Sequence, residues 1–203
     1  WALVPRFGAV IVAPLIQRLQ TAGAPVDLRR RLTRCLSEIP APAVLPALQA
    51  RLFDSDEQVR GTAIAALRGF PQPERVRPVI EALRSESSTE DSTRQCQAVD
   101  ALGELHDVDT VPHLIELLGS ADLLVRDAAS KALHTITRQD FGRSARRWRG
   151  WWRRHRSEPR VQWLVAALSH PSESVRSAAH SDLVAMTGDV AAYRSDASRR
   201  ERD

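Results

Sequence analysis

The sequence predicts an all-α solenoid of about five helical hairpins, with an extra Trp/Arg-rich helix inserted before the last. Two short phrases alternate along the chain, and the apolar residues of each fall on one helical face. The apolar content is mostly Ala, Leu and Val, with aromatics at 5%. Such small side chains suit helices that approach one another closely. With 43% hydrophobic and 27% charged residues among 203, the composition is that of a folded chain.

The first phrase reads Val-Ala-Pro-Leu-Ile-Gln-Arg-Leu at 12–19, Val-Arg-Pro-Val-Ile-Glu-Ala-Leu at 76–83, Val-Pro-His-Leu-Ile-Glu-Leu-Leu at 111–118 and Val-Gln-Trp-Leu-Val-Ala-Ala-Leu at 161–168. Each places apolar residues at i, i+3, i+4 and i+7, one face of a helix. A looser copy at 44–52 has one extra residue.

The second phrase follows after a short polar break. It reads Asp-Glu-Gln-Val-Arg-Gly-Thr-Ala-Ile-Ala-Ala-Leu at 56–67 and Asp-Leu-Leu-Val-Arg-Asp-Ala-Ala-Ser-Lys-Ala-Leu at 122–133. The copy at 172–183 opens with Ser172 and keeps Val175, Arg176, Ala179 and Leu183, while Leu28, Arg29, Leu32, Cys35 and Leu36 fill the same slots earlier. The copy at 91–102 keeps Ala98, Ala101 and Leu102 but puts Arg94 and Gln95 where Val and Arg stand elsewhere. Asp or Ser at the start of this helix accepts hydrogen bonds from its free amides, and Ala at crossing points permits close packing. The Val/Leu slot recurs at 28, 59, 94, 125 and 175, so the last interval carries an insertion at about 141–157. The polar stretch at 85–92 is read as an exposed turn lengthening one repeat. Residues 1–189 are expected to form a single array, with repeats at about 10–40, 43–70, 73–106, 109–138 and 158–187, an inserted helix at about 143–156 and a polar tail over 190–203.

A Val-x-Pro-Leu-Ile helix followed by Asp-x-x-Val-Arg-x-x-Ala-x-x-Ala-Leu resembles HEAT repeats, in the short bacterial HEAT-like form also named after phycobilisome lyases. The resemblance covers residues 12–187. It implies stacked helix pairs in a right-handed superhelix, first helices outside and second helices lining a concave face, and it leaves function open. The segment 135–152, Thr-Ile-Thr-Arg-Gln-Asp-Phe-Gly followed by Trp148, Trp151 and Trp152, resembles a variation of the same family, Thr-Gly-x-Asp-Phe-Gly and then Trp-x-x-Trp-Trp. A partial second copy stands at Met186, Thr187, Gly188, Asp189 and Tyr193 without the tryptophans. The chain begins at Trp1 without Met and stops where those tryptophans are due, so it reads as a piece of a longer array, whose targeting signal is unknown.

Charge is concentrated in one place. Residues 143–160 hold eight Arg and one Glu, whereas the remainder is slightly acidic within a total of 29 basic and 25 acidic residues. Interleaved Arg and Trp could form a stacking and phosphate-binding strip for nucleic acid. At about 100° per residue, however, Trp148, Trp151, Trp152 and His155 fall within roughly 100° of one another, and Arg146, Arg147, Arg149, Arg153, Arg154 and Arg156 fall on the opposite arc of about 180°. Segregation of that kind describes an amphipathic helix with buried indoles and solvated guanidiniums. The arginine face is a candidate surface for phosphate, an acidic protein or anionic lipid. DNA glycosylases built on HEAT-like repeats keep nucleic acid as the alternative partner, although none of their catalytic positions matches here. The recurrent Arg29, Arg60, Arg126 and Arg176 are expected to form an inter-repeat ladder with acids such as Asp56 and Asp122.

Catalytic chemistry finds little material. The six histidines have no ligand spacing, and no His-Glu dipeptide of the kind that binds di-iron in HEAT-repeat hydroxylases occurs. His106, Asp107 and Asp109 stand close together in an expected turn, where Asp is read as capping the next helix. Glycine-rich phosphate loops, Gly-x-Ser-x-Gly elbows and Cys-x-x-Cys pairs are absent from the sequence. Cys35 and Cys96 are expected to be small core residues. The longest apolar stretch, 8–16, is short of the roughly 20 residues of a membrane span. The sequence therefore predicts a protein-binding scaffold or adaptor that uses the concave face and the basic helix, without catalytic, metal or cofactor residues, its partner another protein.

Overall fold

The computed structural model describes residues 4–21 and 23–187, with side chains from residue 10 onward. Regular structure among them is helical: α1 (Val4–Leu19), α2 (Val26–Ser37), α3 (Leu45–Arg51), α4 (Glu57–Arg68), α5 (Pro73–Glu86), α6 (Ser92–Glu104), α7 (Val111–Leu117), α8 (Leu123–Thr137), α9 (Ala145–His155), α10 (Arg160–Ala167) and α11 (Glu173–Thr187). Short 3-10 turns at Pro42–Val44 and Val108–Thr110 precede α3 and α7. The tail over 190–203 and the partial copy running to Tyr193 lie outside the described residues.

The first phrase forms α1, α3, α5, α7 and α10, and the second forms α2, α4, α6, α8 and α11. The proline of the first phrase is accommodated in two ways. Pro14 and Pro78 sit inside α1 and α5, whereas Pro46 and Pro112 stand in the first turn of α3 and α7, just after the 3-10 turns. Proline lacks the N–H of an interior helical bond, a loss that vanishes in the first turn.

The chain divides into two compact units, Trp1–Asp107 and Val108–Asp203. In the first, α1–α2, α3–α4 and α5–α6 are hairpins, with α2 against α4, α3 against α5 and α4 against α6. Each hairpin thus buries its apolar stripe on the next. Leu32, Leu36, Leu48, Ala63, Leu67, Leu83, Ala98 and Leu102 belong to one continuous core. In the second, α7–α8 and α10–α11 are hairpins, and α9 packs on α7.

The second phrase places its core residues four apart, so that Val59, Ala63 and Leu67 share one buried face of α4. Val125, Ala129 and Leu133 repeat this on α8, and Val175, Ala179 and Leu183 on α11. In α6 the Val slot holds Arg94, whose guanidinium carbon lies 4.1 Å from the Phe53 ring centroid while Nε and Nη2 bond Glu86. A half-buried arginine is tolerated there because its head has both an aromatic face and a carboxylate. Asp56, Asp91 and Asp122 cap α4, α6 and α8 by accepting N–H bonds from the first turn. Neither Cys35 nor Cys96 is in a disulfide, and both are only half-buried, at the margin of the core and not within it.

Candidate interaction site on the tryptophan and arginine helix

α9 is seated by the turn that precedes it. Arg138 ends α8 in the left-handed conformation (φ 55°), and Thr137 accepts the N–H of Gln139 while donating its hydroxyl to the Leu133 carbonyl. Asp140 accepts the Gly142 N–H at 2.9 Å, Gly142 itself adopts a positive φ of 52°, and Ser144 caps α9 through the Arg147 N–H. Glycine is suited to position 142 because it enters that region without steric cost. Trp148 then locks the turn, its indole Nε1 donating to the Gly142 carbonyl at 2.8 Å and its ring meeting Phe141 edge-on at 4.9 Å. The Asp-Phe-Gly and the tryptophans that follow are therefore one device.

The indoles continue as a ladder. Trp148 meets Trp151 at 6.1 Å, Trp151 meets Trp163 at 5.1 Å, and Trp152 meets Trp163 at 6.0 Å, all close to edge-on. His155 stacks on Trp151 at 5.1 Å and bonds Glu158 through Nδ1, while Trp163 Nε1 donates to the His155 carbonyl. Trp148 and Trp151 are buried and Trp152 is half-buried. Trp163 was not singled out from the sequence, although it stands in α10 at the phrase position held by Pro14 and Pro78. That departure from the repeat was the available signal: a flat ring replaces a helix-bending residue where a neighbouring helix must be received.

Arg146, Arg147, Arg149, Arg153, Arg154 and Arg156 are all exposed. Among the described residues, none of these guanidiniums lies within ion-pair distance of a carboxylate, and Arg154 Nε donates to the Gly150 carbonyl at 3.1 Å. Arginines flanking the helix differ, since Arg143 pairs with Asp127 and Arg160 and Arg138 converge on Asp182. The first turn of α9 has no acidic residue, so Arg146 and Arg147 face the positive end of the helix dipole. Like charges at i,i+3 and i,i+4, such as Arg146–Arg149–Arg153, oppose the helix as well. α9 is held by its indoles against its own charges.

At three positions of the recurrent slot, Arg29, Arg60 and Arg176, the guanidinium bonds the turn of its own hairpin. Arg60 Nη1 donates to the Asp54 and Ser55 carbonyls at 2.8 and 3.2 Å, Arg176 Nη1 to those of His170 and Pro171 at 2.8 Å each, and Arg29 Nη1 to that of Ala24 at 2.8 Å. Gln95, in the same slot, donates to the Ser87 carbonyl at 2.9 Å. From the second turn of a helix, a long side chain reaches back over the N-terminus to the turn of its own hairpin, which is nearer than the next repeat. Arg29 also reaches onward, placing Nε and Nη2 on the Asp54 carboxylate. Arg126 Nε is buried without a hydrogen-bond partner. Asp56 is engaged by Arg30, whose hydrogen bond draws its pKa down to about 2. Burial pushes Asp54 up, but the bonds from Arg29 and from the Asp56 N–H outweigh it and leave its pKa below the ordinary value. The residue two before the cap recurs as an acceptor for the cap N–H, as Asp54, Ser120 and His170. Chemically unlike side chains hid that role from the sequence.

Among the described residues no group of three or more His, Cys, Asp or Glu could hold a metal ion, and no helix is long and apolar enough to cross a membrane. Asp107 receives Arg84 Nε and Nη2 on its carboxylate. The family model for HEAT repeats matches residues 12–93, that for the PBS lyase HEAT-like repeat matches 95–120, and that for the HEAT repeat matches 110–139.

The chain is a HEAT-repeat protein.

No curated protein matches this HEAT-repeat chain. Similar solved structures include an engineered protein from a structural-genomics consortium, 21% identical over 85% of this chain and 78% of the other, with a TM-score of 0.39. Another is the complex of CpcE and CpcF of phycocyanin lyase from Nostoc sp. PCC7120, 18% identical over 95% of this chain and 82% of the other, with a TM-score of 0.44.

Proposed function

We propose that this HEAT-repeat protein is a non-enzymatic adaptor whose α9 presents its outer arginines to an acidic surface of another protein. The observation that carries the reading is the uncompensated charge of α9: six exposed guanidiniums, none matched to a carboxylate among the described residues. Natural sequences are locally consistent except where function demands otherwise, and α9 sets like charges side by side, with Arg146 and Arg147 at the wrong end of its dipole. An unneutralised guanidinium face forms charge-assisted, bidentate bonds to carboxylates and steers an acidic partner toward itself. Nucleic acid is the second reading: Trp148 and Trp151 are buried against Phe141 and Trp163, which leaves half-buried Trp152, lining an open cleft with Arg146, Arg149 and Arg153, as the one indole of α9 that could meet a base.

A photo-crosslinking residue placed at Arg149 tests this in cells. Crosslinks are expected to map to an acidic segment of one protein, and Arg149→Glu combined with Arg153→Glu is expected to abolish binding of the purified pair. Adducts to DNA or RNA in place of protein would overturn the reading. So would a stoichiometric metal or a covalently held chromophore on the purified protein, which would move it to the enzymes.

A further inference from the structure

Gly150 stands near the middle of α9, opposite the indoles, where two rows of the helix surface intersect. Along i±4 the row runs Arg146, Gly150, Arg154; along i±3 it runs Arg147, Gly150, Arg153. Four exposed arginines therefore surround a position without a side chain, and the surface is recessed there into an open cleft lined by Phe141, Ser144, Arg146, Arg147, Gly150 and Arg154. Glycine inside a helix costs roughly 1 kcal/mol relative to alanine. Among the described residues nothing accounts for it: Gly150 lies outside the positive-φ region, and a Cβ built on it would meet no atom beyond its own helix backbone within 4 Å.

An unfilled position that the chain itself does not need is explained by something arriving from outside. Helices pack ridge into groove, and a gap shared by both ridge directions lets a second helix approach closely, whichever ridge it uses. The four surrounding guanidiniums fix the charge of what arrives. Nucleic-acid phosphates, by contrast, would be met at the tips of the arginines and would gain nothing from a missing Cβ between them. We infer that Gly150 is the crossing point for an acidic α-helix of the partner protein, its backbone seated over the glycine and its carboxylates held by Arg146, Arg147, Arg153 and Arg154. This rests on the adaptor reading of α9 and specifies the partner's chemistry: Asp or Glu one helical turn to either side of a small residue.

The probe is a synthetic alanine-based helical peptide carrying four Glu on one face around a central Ala, titrated by fluorescence anisotropy into the full chain. Gly150→Ala and Gly150→Leu are expected to raise the melting temperature, because both residues favour helix over glycine. Gly150→Leu is expected to weaken peptide binding at least tenfold. A variant that is more stable yet binds less cannot owe its defect to misfolding. If Gly150→Leu binds as the wild type does while Arg149→Glu with Arg153→Glu abolishes binding, the crossing point is overturned and the adaptor reading stands. If the wild type ignores the peptide, or binds duplex DNA more tightly and loses it in the same Glu variant, both are overturned.

Discussion

At the scale of single residues, Arg29, Arg60 and Arg176 each clamp the turn of their own hairpin. Arg60→Ala leaves the Asp54 and Ser55 carbonyls without their donor. It is expected to lower stability by roughly 1 kcal/mol, the worth of a half-exposed charged hydrogen bond, readable as a shifted urea midpoint. Arg60→Gln is expected to recover part of that, as Gln95 already does this work in its own repeat. The Arg30–Asp56 pair makes a prediction about pH. Asp56 is held near pKa 2, chiefly by the hydrogen bond from Arg30, against an ordinary value of 3.8. A depressed carboxylate contributes stability above its unfolded pKa and loses it as pH falls through the folded one, so this contribution is complete above about pH 4 and disappears toward pH 2. In Arg30→Ala, the carboxyl carbon of Asp56, followed by NMR, is expected to titrate closer to 3.8. Recurrence of Arg29, Arg60, Arg126 and Arg176 was legible in the sequence, but its direction was not. Whether a long side chain turns back to its own turn or onward to the next repeat depends on distances that only folding sets.

At the scale of elements, α9 depends on rings contributed by three segments: Phe141 before it, its own Trp148, Trp151 and Trp152, and Trp163 after it. Trp163→Ala removes the platform against which Trp151 and Trp152 rest, and truncating a buried indole costs roughly 3–5 kcal/mol. The arginines of α9 make its undocking easy to detect. Trypsin is expected to cut between 146 and 156 much faster in Trp163→Ala than in the wild type, with α1–α6 unaffected. The two faces of α9 were legible because helical spacing alone separates Trp148, Trp151 and Trp152 from the six arginines. Trp163 was hidden because its contact is non-local, and Gly150 was hidden because periodicity registers side chains and passes over a missing one.

At the scale of the whole molecule, burial passes from hairpin to hairpin within each compact unit, so stability is set locally and by nearest neighbours. Leu133, fully buried on α8, is the test. Leu133→Ala is expected to cost about 2–5 kcal/mol, and native-state hydrogen exchange is expected to accelerate in α7–α8 and their neighbours α9 and α10 while α1–α2 keep their protection. Loss of protection everywhere at once would mark a single cooperative globule. The repeating phrases made the helices and their order legible from composition and period. The division after Asp107 has no counterpart in those phrases, which run on without interruption from α6 to α7.

The ring ladder also has an optical consequence. Four of the five tryptophans of the chain crowd around α9 and α10, their centroids about 5–6 Å apart. Four of the five indole chromophores, and the excitonic dichroism of those coupled rings, therefore sit at one spot, directly beneath the arginine surface. Any ligand that lifts or tilts α9 announces itself without a label.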